Sequence, residues 1–405
     1  MRAFGLLARH LARAARAAPE EAFVLAGSRS YGRAAWLEEA TVLAGTIEPV
    51  RRPLAMAGSA LDLALHAFAC SIKKRPFWPV DRTIPAAADS ELPAGIALVI
   101  STSGSEGEPR GVMLADSALD AAAAAANRRL PLGAGDLWLA CLPLFHIGGQ
   151  AILWRCARAG AAVLLHEGFV ASAVSADLAR HPVTHLSLVP AMLARLLEAG
   201  TPPPPTLRHV MVGGAALAPA LFERATAAGW PLNPSYGMSE SAAQVATWTP
   251  RDGPWRAGLA GRPLPGCEIA LRADGRIRIR APQLMAGYVG GGGIDPDGWL
   301  TTGDLGEIDA AGRLTVTGRA DDMLISGGRN VHPAEIEACL AACPGVRDAA
   351  VSALPDPVWG DLIVALVAGD TTEEQVDAWC RDRLSGHALP RRIVIVDALP
   401  RGKGG

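Results

Sequence analysis

Apolar and polar positions fall along this chain in blocks of two kinds. Short continuous apolar runs, IALVI from Ile96, LWLACLP from Leu137, AAVLLH from Ala161, HLSLV from His185 and LRHVMV from Leu207, have the length and composition of strands buried on both faces. Between them lie stretches with helical spacing: the Ala-rich Asp116 to Arg129, the segment after the glycines of PLFHIGG, and the one that Pro190 opens, PAMLARLLE. Strand and helix alternating at this spacing predict a parallel α/β sheet. Upstream, MRAFGLLARHLARAARAAP predicts an amphipathic helix closed by Pro19, and FVLAGSRSYGRAAWLEEATVLAGTI a hairpin then a helix. Helices then alternate with short apolar strands such as RPLAMAG to about Ser90. From GRIRIRAPQLMAGYV the period shortens to two, that of a half-exposed sheet. VHPAEIEACLAACPGVRDAAVSALPDPVWGDLIVALVAG then reads as helix, strand, turn, strand, a small α+β domain of roughly 85 residues.

Composition narrows the class more than it names a function. The 405 residues are 50% hydrophobic and 19% charged, enough for two or three domains with a large core. A net charge of −2 leaves no electrostatic footprint for nucleic acid or an anionic membrane, so small-molecule chemistry is favoured. Seven cysteines, scattered and without a Cys-x2-Cys pair, point to reduced thiols in a cytoplasm and to neither a disulfide frame nor a zinc site. No run of eighteen apolar residues predicts a membrane span. The first nineteen residues, Arg-rich and free of acids, mimic a transit peptide, but their continuity with the hairpin favours a helix of the folded domain.

The stretch with most chemistry is Ile96 to Val112, a buried strand that breaks into Ser101, Thr102, Ser103, Gly104, Ser105, Gly107 and Gly111. Glycines let backbone N–H groups converge on an anion, short hydroxyls add donors, and Arg110 supplies countercharge; a flexible surface loop has the same composition. No Gly-Lys-Ser/Thr occurs, which disfavours an ordinary P-loop. His146 ends a strand where ligands of open α/β sheets bind. Gly213 and Gly214 after a strand permit close approach to a flat ligand, or simply a tight turn. In NPSYGMSES, Tyr236 can stack on a purine, Ser239 can bond a phosphate, and Glu240 is a hard oxygen ligand for Mg²⁺.

TSGSEGEPRGV resembles the phosphate loop of the AMP-forming adenylating enzymes, a family of acyl-CoA synthetases, adenylation domains and luciferases. Glu106 stands where the family has Thr and Arg110 where it has Lys. SYGMSE is similar to the family's Y-G-x-T-E, with Ser239 for Thr, and five such segments occur in family order over nearly the whole chain. The resemblance implies an α/β fold: a large N-terminal domain of parallel α/β sheets plus a β subdomain over 1–318, and a small mobile α+β domain over 319–405, hinged at Asp321. It also implies ATP, Mg²⁺ and CoA as cofactor and cosubstrates. The nucleotide would be held by Thr102, Ser103, Gly104, Ser105, Gly107, Arg110, Gly213, Gly214, Ala215, Ser235, Tyr236, Gly237, Asp304 and Arg319, and the metal by Glu240.

His146 would line and gate the acyl pocket beside Phe145 and Gln150, and Gly327 and Gly328 would line the pantetheine tunnel. PLFHIGG is followed by no Asp of the kind that holds an amino acid substrate. The catalytic lysine of the family falls at position 406, past Gly405, which leaves Lys403 as the candidate together with His146, Ser239 and Glu240. The section before the phosphate loop is short by several tens of residues against the family. SYGMSESAAQVATW and GRPLPGCEIAL resemble in particular the branch that activates o-succinylbenzoate for menaquinone synthesis, with Arg155, Gln150 and His185 as polar contacts for a second carboxylate. These expectations describe an acid:CoA ligase. The alternatives are a free-standing enzyme that loads a carrier protein, and a nucleotide-binding homologue without catalysis, which Glu106 and the missing lysine suggest.

Overall fold

A computed structural model of the chain describes residues 4–102, 110–320, 322, 324–326, 329–331, 333–356, 358 and 360–399. The first predicted helix forms over Leu6–Ala17, and its stripe of Leu7, Ala8, Leu11, Ala12 and Ala15 is buried. The hairpin Ala22–Ala26 and Arg29–Gly32 and the helix Arg33–Ala44 follow as read. Ala60–Lys73 starts with a capping box between Ser59 and Asp62 and stops at Lys74 in a left-handed conformation.

Four of the five buried apolar runs become strands of one 13-stranded sheet. Leu232–Met238, His209–Val212, His185–Leu188, Leu137–Ala140, Ala162–Leu165 and Ala22–Ala26 lie parallel in that order. Helices Ile147–Ala159, Ala171–Arg180, Pro190–Glu198 and Pro219–Ala227 connect them, two with a proline in the first turn, where its missing N–H costs nothing. The sheet continues past Leu232–Met238 through antiparallel strands Ala243–Thr247, Leu259–Pro263, Leu314–Arg319, Leu300–Ile308, Arg276–Arg280 and Glu268–Leu271, the alternating region of the sequence. Leu232–Met238 joins the halves: residues 232–234 pair in parallel with 210–212, and residues 235–238 pair antiparallel with Ala243–Thr247.

A second sheet of five strands holds Leu54–Met56, Phe77–Pro79, Ile96–Thr102, Arg110–Ala115 and Gly287–Tyr288. The strand Arg110–Ala115 is not foreseen in the sequence, where Arg110, Gly111 and Val112 read as the end of the phosphate loop. It pairs back on Ile96–Thr102, and the helix Asp116–Arg129 starts directly after it, as expected. The small α+β unit has its own sheet, Arg329–Val331, Leu324–Ser326, Gly360–Gly369 and Val346–Asp356, with Arg392–Val396 added in parallel. Helices Pro333–Ala341 and Glu373–Arg381 cover it around Ile336, Leu340, Ile363, Val367, Val376 and Cys380.

Candidate active site

The strand Leu232–Met238 delivers the first cluster. Its opening residues are buried in the parallel sheet, and Ser235 Oγ donates to Val212 O at 3.3 Å, tying it to the neighbouring strand. Gly213 faces that serine: a Cβ on it would lie 2.8 Å from Ser235 Oγ. Gly214 and Ala215 continue as an exposed turn. Tyr236 Oη donates to Asp304 Oδ2 at 2.6 Å, and Arg319 Nη1 donates to Asp304 Oδ1 at 3.2 Å. Asp304 and Arg319 are cross-strand partners, which sets that contact through backbone register. Burial, and then the Asp304 charge, hold the Tyr236 phenol far above its ordinary range, so it stays a donor. Each Asp304 oxygen keeps a further lone pair for an incoming hydroxyl.

The turn Ser239–Ser241 follows. Ala242 and Ala243 take left-handed φ of 51° and 88°, and a Cβ on Gly237 would lie 1.7 Å from Ala243 O. Ser241 Oγ accepts from Met238 N at 3.2 Å and sits 3.1 Å from both Met238 O and Ala243 O. Buried Gln283 donates to Ser241 O at 2.8 Å and to Gln244 O. Left-handed alanines cost about 1 to 2 kcal/mol each, so these bonds hold the turn in its shape. Sequence reasoning missed Ser241 and Gln283, whose polar atoms serve the backbone.

Glu240 is reached by a residue that sequence reasoning also passed over. Tyr288 Oη donates to Glu240 Oε1 at 2.9 Å, and the Arg110 guanidinium lies 3.7 Å over the Tyr288 ring. Arg110 and Thr102 pair across the second sheet, with Thr102 Oγ1 donating to Arg110 O at 3.2 Å. Trp78 Nε1 donates to Ser101 Oγ at 2.9 Å and fixes the strand end. The base of the phosphate loop and the Ser-Glu turn thus stand together. Ser103, Gly104, Ser105, Glu106 and Gly107 lie outside the described residues, as do Asp321, Gly327, Gly328 and Lys403.

His146 is exposed just before the helix Ile147–Ala159, with Phe145 at 4.6 Å between ring centroids. Gln150 is buried and donates to Leu144 O at 2.7 Å, and its Oε1 has no partner among the described residues. Arg155, five residues further along the helix, is 1% exposed, lies 5.4 Å over the Trp138 ring and points Nη1 at Met211 Sδ, 3.6 Å away. No carboxylate pairs with it among the described residues, and burial pushes its guanidinium down to about 10, still a cation at neutral pH. His185 opens its strand beside Trp138, its register partner, and stacks at 5.0 Å on the same ring that Arg155 covers, with burial pushing its pKa down to about 4.

Among the described residues no group of three or more His, Cys, Asp or Glu is gathered for a metal. Glu240 offers one carboxylate, the donor set of a Mg²⁺ site that takes its other ligands from phosphates and water.

Two sheets whose strand ends meet at one edge, beside a small α+β unit, define an α/β protein with its site at the carboxyl ends of the strands. The chain belongs to the AMP-binding enzyme family. That family's sequence pattern matches residues 38–289, and the pattern of the AMP-binding enzyme C-terminal domain matches residues 335–405. The 2-succinylbenzoate-CoA ligase of Bacillus subtilis strain 168 is 35% identical over 325 residues, 75% of this chain and 66% of that relative's length. The o-succinylbenzoate CoA synthetase of Bacillus subtilis in complex with the acyl-adenylate intermediate OSB-AMP superposes with a TM-score of 0.86 at 27% identity, covering 97% of this chain and 95% of that one. The same synthetase with ATP and magnesium ion gives 0.85 at 27% identity, covering 97% and 96%.

Proposed function

We propose that the chain is an ATP-dependent acid:CoA ligase that forms acyl-AMP and then acyl-CoA. The observation carrying this reading is the convergence of Asp304, Arg319, Tyr236, Glu240 and Arg110 at one strand-end edge. In the first half-reaction a carboxylate oxygen attacks the α-phosphorus of ATP and the bond to pyrophosphate breaks. In the second, the CoA thiolate attacks the acyl carbonyl and the C–O bond to AMP breaks, returning the electron pair to the phosphate. Asp304 accepts the ribose hydroxyls while Tyr236 and Arg319 hold its two oxygens in place. Ser239 bonds the α-phosphate, and Ser235, Gly237 and the turn Gly213, Gly214 and Ala215 form the wall against the base. Thr102, Ser103, Gly104, Ser105, Gly107 and Arg110 take the outer phosphates. Mg²⁺, when bound at Glu240, neutralises phosphate charge. Lys403 is the proposed countercharge for the attacking carboxylate, and His146 lines the acyl entrance.

The proposed acid is o-succinylbenzoate, which places the enzyme in menaquinone synthesis. Its support is the name of the Bacillus relatives and Arg155, a buried cation with no acidic partner among the described residues, suited to a second carboxylate. The proposed division runs 1–318 and 319–405, with Gly328 of the small unit approaching the site for thioester formation. The proposed compartment is the cytoplasm, on the seven cysteines standing as free thiols. No helix among the described residues is long and apolar enough to cross a membrane.

The test is acid-dependent pyrophosphate release with ATP and Mg²⁺ over a panel of aryl, aryl-keto and short fatty acids, followed by CoA against a holo carrier protein as acceptor. Release with o-succinylbenzoate and transfer to CoA is the expected result. Transfer only to the carrier would move the activity to carrier loading, and nucleotide binding without release for any acid would leave a homologue without catalysis.

A further inference from the structure

Tyr288 stands between two groups of opposite charge that the reading above needs apart. Its strand, Gly287–Tyr288, is laid against Arg110–Ala115, with Tyr288 opposite Val112 and Val289 N donating to Gly111 O at 2.8 Å. Met285 N donates to Glu240 O at 2.8 Å, so the same segment is also tied to the Ser-Glu turn. Behind the ring, Gly290, Gly291, Gly292 and Gly293 have φ of 93°, 103°, 81° and 114°, and Tyr288 N donates to Gly292 O at 3.1 Å. A Cβ on Gly293 would lie 2.9 Å from Tyr288 Cε2, so the turn seats the ring closely. The ring face is therefore fixed under Arg110 and the hydroxyl fixed on Glu240.

We propose that Tyr288 is a positioning residue that keeps Arg110 and Glu240 from pairing with each other, so that one remains available for phosphate and the other for the magnesium that accompanies it. This inference rests on the nucleotide site proposed above. A guanidinium and a carboxylate one aromatic ring apart attract strongly at the edge of a protein, and a direct bidentate pair would occupy both. A neutral phenol separates them while satisfying each: the ring face attracts the cation, and the hydroxyl donates to the carboxylate.

The experiment is calorimetric titration of the full-length chain with ATP, once with Mg²⁺ and once with EDTA. Wild type binds ATP more tightly with Mg²⁺. Tyr288→Phe keeps the ring and removes the donor, and is expected to lose about three- to tenfold of that preference with little change in EDTA. Tyr288→Leu removes the spacer and is expected to weaken binding under both conditions. Adding Glu240→Gln to Tyr288→Leu is expected to restore affinity in EDTA, because Arg110 is released; a merely structural role predicts no such rescue. A Tyr288→Phe chain with the wild-type preference for Mg²⁺ overturns the inference and leaves the ligase reading intact, as does a double variant no better than Tyr288→Leu. A wild-type chain that binds no ATP overturns both. If Tyr288→Leu does not fold, Tyr288→Phe decides alone.

Discussion

Two buried ionisable side chains set what single substitutions do. Arg155 sits in the core as a cation without an acidic partner among the described residues, an arrangement that costs stability unless an anion arrives. Arg155→Met is therefore expected to raise the melting temperature by a few degrees while raising KM for o-succinylbenzoate at least tenfold, with monocarboxylic aryl acids much less affected. Thermal melts and pyrophosphate release on the two acid types check both halves, and equal losses for both would remove Arg155 from recognition of the second carboxylate. His185, 0% exposed, has its pKa pushed down to about 4, well below the usual histidine value. Between about 4 and 6.5 the unfolded chain binds a proton that the folded chain refuses, so this stabilisation is complete above about 6.5 and is lost as the pH falls toward 4. The loss is roughly 3 kcal/mol. Urea melts at pH 7.5 and 4.5 measure it, and His185→Phe should flatten the difference. At the site, Asp304→Ala is expected to weaken ATP binding by tenfold or more, leaving Tyr236 without its acceptor and Arg319 without that partner.

At the scale of elements, the turn after Tyr236 is the sensitive one. Gly237→Ala would drive a Cβ into Ala243 O, and is expected to cost about 3 kcal/mol or more in a denaturant melt. Gln283→Leu leaves the carbonyls of Ser241 and Gln244 without its amide and is expected to cost about 2 kcal/mol, with nucleotide affinity falling as the turn relaxes. Elements with local signals were legible in the sequence: the Ala-rich helix Asp116–Arg129, the apolar parallel strands and the hairpin before Arg33. The pairing of Asp304 with Arg319 was half legible, since an alternating stretch around a turn predicts a hairpin but not its register. Tyr288 was not legible, because its place depends on a strand pairing with residues more than 170 positions earlier, and MAGYV carries no local sign of that partner. Nor was the burial of Arg155, since an arginine followed by Arg158 in the same helix reads equally well as a solvated position.

Over the whole molecule, the small unit packs around a core of its own, Ile336, Leu340, Ile363, Val367 and Val376, distinct from the cores under the large sheets. On the proposed division, calorimetry should resolve two transitions. ATP with Mg²⁺ at a hundred times Kd should add about 2.7 kcal/mol to the one that contains Tyr236 and Asp304. A single transition moved as one block would contradict that division. The turn at Gly290–Gly293 has a consequence for how the gene can vary. Its four residues are exposed, where most positions accept nearly any side chain, yet all four backbones are left-handed. Each non-glycine replacement there costs about 1 to 2 kcal/mol before any contact is lost. A saturation scan of the full chain should therefore show an intolerant band on the surface at these four codons, in a place that solvent exposure alone would mark as permissive.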